Sequence, residues 1–390
     1  MDFGERAASN AAALVGPRLV TVSRGDGPVQ PLPTAEGTEL PAISLACSDG
    51  TIRTLADVVR RTHTDALLVV RESEVVAHYE RVPASLHSPH LVMSVSKSVV
   101  GCVAARLLDD GTLTESTRVV EVVPELAGGY REATVRHLLD MRTAVDYDEH
   151  QDLSARGRVL AQVMYEPPQA WTCTDSIYDY LRRLGEVGKP GGPFCYRSTD
   201  TDALGWVIER ATGSSMIDLI SQLIIAPLGL EQDGAMVVDA YGTPAHSGGL
   251  LLCARDLTRF ALMLLNAGTA GGRQVVPVRF LRDVRRGDSD SVAAMRQAAV
   301  NRGHADLAAG SRAIYRSQFW VPEQGGTRLL CLGIHGQLVV VDYDARMVAV
   351  KLSWWPTPQD PGLFHDSVAT VDALITATRH SPGAVLPLVR

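Results

Sequence analysis

The chain has 390 residues, 46% of them hydrophobic, and a formal net charge of −7 at pH 7. It is long enough to bury a large core and long for a single domain, so we expect two lobes. The acidic balance and the lack of a basic cluster argue against nucleic acid or an anionic membrane as a partner.

The amino-terminal segment and the cysteines bear on the compartment. The segment MDFGERAASNAAALVGPRLV carries acidic residues early and lacks an apolar core, so it is not typical of a secretory signal. No apolar run reaches the roughly 18 residues that a membrane span needs. The six cysteines are scattered and form no CxxC pair, which favours reduced thiols. We therefore expect a soluble cytoplasmic protein.

The first third of the chain contains an arm, a hairpin and a helix. Residues 20–42 are rich in proline and glycine and predict an extended arm. From Ala66, the stretch ALLVVRESEVVAHYERV has two β-branched runs around a polar RESE turn, which predicts a hairpin. A helix that contains Ser94 then runs to about Asp109 and stops at Gly111.

The rest of the chain divides into a helical and a strand-rich part. Residues 116–233 show mostly helical patterns, and ARDLTRFALMLLNAG predicts a further helix. From Ile314 the segments AIYRSQFWVPE, TRLLCLGIHG, QLVVVDYD and RMVAVKLSWW predict an antiparallel meander, and LFHDSVATVDALITAT a final helix. Because an isolated hairpin is marginal, we expect it to join these strands in one sheet. The predicted domains are a discontinuous α/β sheet domain, 1–115 and 234–390, and a helical domain, 116–233.

The segment LVMSVSKSVV, residues 91–100, holds one of only three lysines in a chain with 34 arginines. An arginine keeps its proton in a protein, whereas a partly buried lysine can lose it. Lys97 lies three residues after Ser94, so the amine can reach the hydroxyl on one helical face. The alternative is a surface serine and lysine that share a helical turn. Ser96 and Ser98 point in other directions, so Ser94 is the better candidate nucleophile.

Three motifs in the expected order resemble a known superfamily. Ser94-Val95-Ser96-Lys97 is similar to the SxxK motif of the serine β-lactamases and penicillin-binding proteins. Tyr196-Arg197-Ser198 resembles the Tyr-x-Asn or Tyr-x-Ser motif of that superfamily. The third motif, Lys-Thr-Gly, is missing from LGIHGQLVVVD. Together with HLLDMRTAVDYDE, these segments resemble the 6-aminohexanoate-dimer hydrolases and class C β-lactamase-like esterases and transacylases, over about residues 60–378.

The resemblance implies a class C β-lactamase-like fold, α/β plus all-α, with an antiparallel sheet flanked by helices and an inserted helical lobe. It implies that Ser94 is the nucleophile and that Lys97 and Tyr196 share the proton transfers. It further implies an oxyanion hole formed by the N–H groups of Ser94 and of a strand residue near Ile334. It also implies substrate contacts, for which the candidates are Tyr147, Asp148, Ser198 and His335. For His335 we favour a structural role that shapes the strand turn.

Other candidate sites have weaker support. In AVDYDEHQD, the residues Asp146, Asp148 and Glu149 fit a carboxylate pair or a metal loop, but an acidic solvated loop is the simpler interpretation. No HExxH motif or clustered His/Cys ligands occur, so no metal site is predicted. No GxGxxG or Walker loop occurs either, and we expect no cofactor.

The predicted function is that of a serine acyl-enzyme hydrolase of small-molecule amides or esters. Without the lysine of Lys-Thr-Gly, efficient β-lactamase activity is not expected. The alternative is a transacylase that passes the acyl group to an amine or alcohol in natural-product biosynthesis, including that of antibiotics. A non-catalytic scaffold is a third hypothesis, although it predicts loss of a triad that this sequence keeps.

Overall fold

The computed structural model describes residues 18–33, 40–149, 163, 175–304 and 309–379. Its strands are Leu19–Val22, Ser44–Ala46, Ile52–Thr54, Thr64–Arg71, Glu74–Glu80, His90–Leu91, Gly234–Val237, Leu250–Leu252, Thr269–Ala270, Arg273–Gln274, Ile314–Arg316, Phe319–Val321, Arg328–Gly333, Gln337–Asp342 and Met347–Ser353. Its α-helices are Leu55–Arg61, Val95–Asp109, Val119–Val122, Val135–Leu139, Ile177–Arg182, Ser198–Thr212, Met216–Leu219, Ala226–Leu228, Ala254–Leu265, Val278–Arg286, Ser289–Asn301 and Pro361–Arg379. Pro124–Leu126 and Ile334–Gly336 are 3₁₀ turns, and Ile220–Ile225 is a π-helix.

A seven-stranded antiparallel sheet, here called the large sheet, forms the centre of the molecule. Five carboxy-terminal strands follow one another across it as an antiparallel meander, one more than predicted, because the segment AIYRSQFWVPE forms two strands, Ile314–Arg316 and Phe319–Val321. The last of them, Met347–Ser353, pairs with Thr64–Arg71 of the hairpin, with Val350 opposite Leu68. The prediction that the hairpin joins the carboxy-terminal strands is therefore confirmed.

Both faces of the large sheet are buried, because consecutive residues of its strands are apolar and point to opposite faces in turn. Leu68 and Val70 face one side, where they share a core with the helices Val95–Asp109 and Ala254–Leu265. Leu67 and Val69 face the other side, where they pack with the helices Leu55–Arg61 and Pro361–Arg379. Successive residues of a strand point to opposite faces, so a continuous apolar run fits a sheet covered by helices on both sides.

A second sheet of four strands, the small sheet, was not predicted. Its order is Leu19–Val22, Gly234–Val237, Leu250–Leu252 and His90–Leu91. The predicted extended arm thus begins with a strand, because Val20 and its neighbours pair with Gly234–Val237. The strand His90–Leu91 ends three residues before Ser94, so the small sheet fixes the position of the backbone that leads to the candidate nucleophile.

The helices between Val119 and Leu228 agree with the helical patterns predicted for this part of the chain. The domain boundaries proposed from the sequence remain a prediction. Among the described helices, none is by itself long and apolar enough to cross a membrane. Ser198–Thr212 and Met216–Leu228, which meet at a bend, reach the necessary length and apolar composition only when they are taken together.

Candidate active site

Ser94 stands at the turn between the strand His90–Leu91 and the nucleophile helix, Val95–Asp109. The N–H of Val92 donates to the Leu250 carbonyl at 2.9 Å. The next residue, buried Met93, has a φ of 50°, in the left-handed region that non-glycine residues seldom adopt. Such backbone strain is frequent at functional sites. It places Ser94 at the helix N-terminus, where free N–H groups favour an oxyanion.

The other two serines of this segment have structural partners. The Ser96 hydroxyl donates to the Met93 carbonyl at 2.6 Å and accepts from the Leu250 N–H at 3.1 Å. The Ser98 hydroxyl donates to the Gln318 carbonyl at 2.8 Å. Ser94 instead makes no cap hydrogen bond and contacts Lys97. The distinction that the sequence predicted between Ser94 and its neighbours agrees with this geometry.

The Lys97 amine has three hydrogen-bond partners and is buried, with 1% of the residue exposed. Its Nζ lies 2.9 Å from Ser94 Oγ, 3.1 Å from Ser198 Oγ and 2.7 Å from the Ser247 carbonyl oxygen. A carbonyl can only accept a hydrogen bond. One amine proton of Lys97 is therefore committed to Ser247.

The direction of the Ser198 hydroxyl follows from Glu149. Ser198 donates its O–H to Glu149 Oε1 at 2.6 Å and its N–H to Glu149 Oε2 at 2.7 Å. With its proton used in this way, Ser198 Oγ accepts from Lys97. A neutral Lys97 amine then has both N–H groups occupied, and its lone pair is left for the Ser94 hydroxyl. This arrangement suits a general base.

Tyr196 lies beside the same amine, with its ring centre 5.1 Å from Lys97 Nζ. The ring stacks on Trp320 at 5.7 Å and meets Tyr315 edge-on at 6.0 Å. The next residue, Arg197, ties this motif to the segment 143–147: its guanidinium donates hydrogen bonds to the carbonyls of Thr143 and Tyr147 at 3.1 and 3.2 Å. The helix Ser198–Thr212 begins immediately afterwards and carries Ser198 to Lys97.

A cavity of about 400 Å³ opens next to Ser94 and Tyr196. Its apolar walls come from the large sheet and from the segment before and within the carboxy-terminal helix: Trp320, Leu332, Ile334, Leu338, Trp355, Pro358, Pro361 and Phe364. Arg302, Gln359 and Asp360 add polar groups. A volume of this size is typical of small-molecule sites.

Ser94 and Ile334, the residues predicted to supply the oxyanion hole, both line this cavity. A Cβ atom on Gly333 would lie 2.7 Å from the Val92 carbonyl oxygen. Only glycine therefore lets the end of this strand approach the turn that carries Ser94.

The remaining predicted substrate contacts do not line the cavity. The His335 ring is buried and stacks on Trp354 at 4.5 Å, and its Nδ1 donates to the Trp355 carbonyl at 2.8 Å. Burial lowers the pKa of His335, and the geometry agrees with the structural role that we favoured. The Tyr147 ring packs edge-on against Tyr180 at 6.4 Å, and Asp148 is exposed.

Comparisons with known proteins assign the family. The chain matches the family model described as Beta-lactamase over residues 51–368. It is 35% identical over 329 residues to the 6-aminohexanoate-dimer hydrolase of Paenarthrobacter ureafaciens, which covers 82% of this chain and 80% of that protein. The chain belongs to the β-lactamase family. This membership makes it an enzyme of the hydrolase type and confirms the resemblance drawn from the motifs.

Solved structures support the fold of this β-lactamase-family enzyme. A Bacillus anthracis protein provisionally assigned as a 6-aminohexanoate-dimer hydrolase has a TM-score of 0.78 at 23% identity, over 93% of this chain and 90% of that chain. Unliganded simvastatin synthase, LovD, of Aspergillus terreus has a TM-score of 0.61 at 14% identity, over 83% of this chain and 97% of that chain. The predicted β-lactamase-like fold is confirmed.

Sequence reasoning missed three residues around the amine of the β-lactamase-family enzyme. Glu149 was assigned to an acidic solvated loop, which was wrong, because its carboxylate accepts both hydrogen bonds from Ser198. Ser247 contacts Lys97 through its backbone, which leaves no signal in the sequence. Asp202 lies four residues after Ser198, and this spacing on one helical face could have indicated it.

The cysteines and the potential metal-ligating side chains of the described ranges form no disulfide bond and no metal-binding cluster. No group of three or more His, Cys, Asp or Glu side chains there is arranged to hold a metal ion. Five cysteines are described and all are free thiols, namely Cys47, Cys102, Cys195, Cys253 and Cys331; Cys173 lies outside the described residues.

Proposed function

We propose that this β-lactamase-family enzyme hydrolyses small-molecule amides or esters through an acyl-enzyme intermediate on Ser94. The observation that carries the proposal is the 2.9 Å contact between Lys97 Nζ and Ser94 Oγ. Ser247 and Ser198 accept hydrogen bonds from the two N–H groups of a neutral Lys97 amine, so its lone pair points to Ser94. Lys97 is then oriented to take the proton of Ser94 when the hydroxyl attacks a carbonyl.

The proposed cycle conserves every proton. Ser94 Oγ bonds to the substrate carbonyl carbon and its proton passes to Lys97, with Tyr196 sharing the transfer. The N–H groups of Ser94 and Ile334 stabilise the oxyanion. Tyr196 then donates its hydroxyl proton to the departing amine or alcohol as the bond to carbon breaks, and the Lys97 ammonium passes the proton taken from Ser94 to Tyr196. Water attacks the acyl-enzyme by the same route in reverse, which releases the acid and restores the Ser94 hydroxyl.

The cavity supports a small substrate with an apolar portion. Trp320, Trp355 and Phe364 provide aromatic walls, and Gln359 and Asp360 provide polar groups beside them. The related Paenarthrobacter protein is named for hydrolysis of 6-aminohexanoate dimer, and we include that dimer among the substrates to be tested. No lysine occurs in the segment Gly333–Gln337, so we expect β-lactams to be poor substrates.

A transacylase is the second candidate function. The aromatic walls favour it, because they can hold an apolar amine or alcohol and exclude competing water. The catalytic residues would be the same, and only the acceptor that attacks the acyl-enzyme would differ.

Steady-state hydrolysis by the wild-type enzyme and by Ser94→Ala tests the proposal. The substrates are p-nitrophenyl butyrate, 6-aminohexanoate dimer and the β-lactam nitrocefin, each with and without an added primary amine. We expect turnover of the ester or the dimer, slow nitrocefin cleavage and loss of activity in Ser94→Ala. Amide product in place of acid would assign the transacylase. Equal activity in Ser94→Ala would refute both candidates.

A further inference from the structure

Asp202 is a buried carboxylate one helical turn beyond Ser198, on the same helix. Its Oδ1 accepts the Ser247 N–H at 2.9 Å and its Oδ2 accepts the Ser247 hydroxyl at 3.0 Å. Ser247 is thus held at two atoms. Its carbonyl oxygen is the 2.7 Å acceptor for Lys97 Nζ.

We propose that Asp202 is a positioning residue for Lys97: it fixes the Ser247 carbonyl and supplies the negative charge that balances the ammonium formed when Lys97 takes the proton of Ser94. This inference rests on the proposed function, because it assigns a partner to the base of that same site. The charge acts between buried groups, where electrostatic interactions are stronger than in water.

The groups that face Lys97 come from four elements. Ser94 immediately precedes the helix that carries Lys97. Tyr196 precedes the helix Ser198–Thr212, and Asp202 lies on it. Glu149 accepts a hydrogen bond from Ser198, which in turn contacts Lys97. The turn that carries Ser247 also carries His246, but the His246 Nε2 lies 3.1 Å from the Tyr178 hydroxyl and not at the amine. Burial raises the pKa of Asp202 to about 7, and a positive charge on Lys97, such as that of the ammonium formed by the proton transfer, opposes that rise.

Asp200 provides a matched control two residues away. It is equally buried, and burial raises its pKa to about 7 as well, against the nearby charge of Arg197. Its carboxylate accepts from the Thr143 hydroxyl at 2.7 and 2.8 Å. Replacing either aspartate therefore removes a buried carboxylate from the same helix, but only Asp202 is joined to Lys97 through Ser247.

The test is the pH profile of kcat/KM for a p-nitrophenyl ester in the wild-type enzyme, Asp202→Asn and Asp200→Asn. Asparagine keeps the shape and can still hydrogen-bond Ser247, but it removes the charge. Without that charge the protonated form of the site is less favoured and the base is weaker. We expect the acidic limb of Asp202→Asn to move to lower pH, on the order of 1 pH unit. The plateau should fall roughly 10- to 100-fold, within the range that a general base supplies.

A merely structural role predicts a different result, namely a loss of rate that is equal at every pH. An unmoved limb in Asp202→Asn, or an equal shift in Asp200→Asn, would overturn the inference. Thermal unfolding checks that each variant folds, and Asp202→Ser is a second neutral variant if the asparagine does not. If the wild-type enzyme itself forms no acyl-enzyme, the proposed function fails together with this inference. A normal wild-type profile with an unmoved Asp202→Asn limb overturns the inference alone.

Discussion

The chain has a second buried lysine, Lys351, and its replacement by methionine gives a quantitative prediction. Lys351 lies on the strand Met347–Ser353 and is completely buried. Its Nζ donates to the Ser353 hydroxyl at 2.5 Å and to the Thr62 carbonyl at 3.4 Å. Methionine is unbranched and can fill the same space without a charge.

The magnitude follows from the pKa of Lys351. Burial lowers that pKa from 10.5 to about 7, although the Asp65 carboxylate opposes the change. At about 1.4 kcal/mol for each pH unit, the folded state pays on the order of 5 kcal/mol when the amine is charged. Methionine loses two hydrogen bonds worth about 1 kcal/mol each. We expect Lys351→Met to be more stable than the wild-type enzyme at pH 7 by about 3 kcal/mol.

The pH dependence has a definite sign. The folded pKa of Lys351 is below the unfolded one, so the cost is fully present below pH 7, declines as the pH rises and is absent above 10.5. Within that window the unfolded state binds the extra proton. The wild-type enzyme should therefore gain about 1.4 kcal/mol for each pH unit relative to Lys351→Met.

Urea unfolding at pH 7, 8 and 9, followed by circular dichroism, measures this effect. The quantity of interest is the difference in the free energy of unfolding between the wild-type enzyme and the variant, because contributions from groups that Lys351 does not influence cancel in it. Lys189→Met is the control, since Lys189 is exposed, and its difference should not change with pH. A Lys351→Met difference that stays constant from pH 7 to 9 would refute the reasoning.

Two further predictions concern the candidate site and the helix behind it. Arginine stays protonated in a protein, so in Lys97→Arg it cannot accept the proton of Ser94, and we expect burst-phase acylation of Ser94 to fall about 10²- to 10⁴-fold. Near-normal acylation in a folded variant would contradict the role of Lys97 as base. A Cβ on Gly205 would lie 2.3 Å from His246 Cδ2, so Gly205→Ala should lower the free energy of unfolding by about 1–3 kcal/mol. Gly185→Ala, where a Cβ meets nothing within 4 Å, should change it by less than about 0.5 kcal/mol, and equal effects of the two substitutions would argue against this packing.

The large sheet and the nucleophile helix could be predicted because their patterns are long and local. The hairpin around Glu72 and Glu74 has β-branched runs on both sides, and the meander repeats that pattern. The small sheet could not be predicted in the same way. Its strands have two to four residues, and each pairs with a segment that is distant in the chain, as His90–Leu91 does with Leu250–Leu252.

In the candidate site too, local spacings could be predicted from the sequence and contacts between distant segments could not. Ser94 and Lys97 are separated by one helical turn, and that spacing is visible in the sequence. Tyr196 could be proposed only through the family resemblance, because a distant tyrosine has no local pattern. Ser247 meets Lys97 through a carbonyl that every residue possesses, and Glu149 reaches Ser198 only through tertiary folding. Both contacts depend on a fold that brings distant segments of the chain together.

The measurement that tests the central claim most directly is intact-protein mass spectrometry after reaction with a serine-directed fluorophosphonate. Wild-type enzyme, Ser94→Ala and Ser98→Ala are compared, and peptide mapping locates the adduct. Ser98 is the matched control because it shares the helix but donates to the Gln318 carbonyl. The account predicts one adduct, on the peptide that contains Ser94, which is kept in Ser98→Ala and lost in Ser94→Ala. An adduct that persists in Ser94→Ala, or folded wild-type enzyme that forms none, would contradict it.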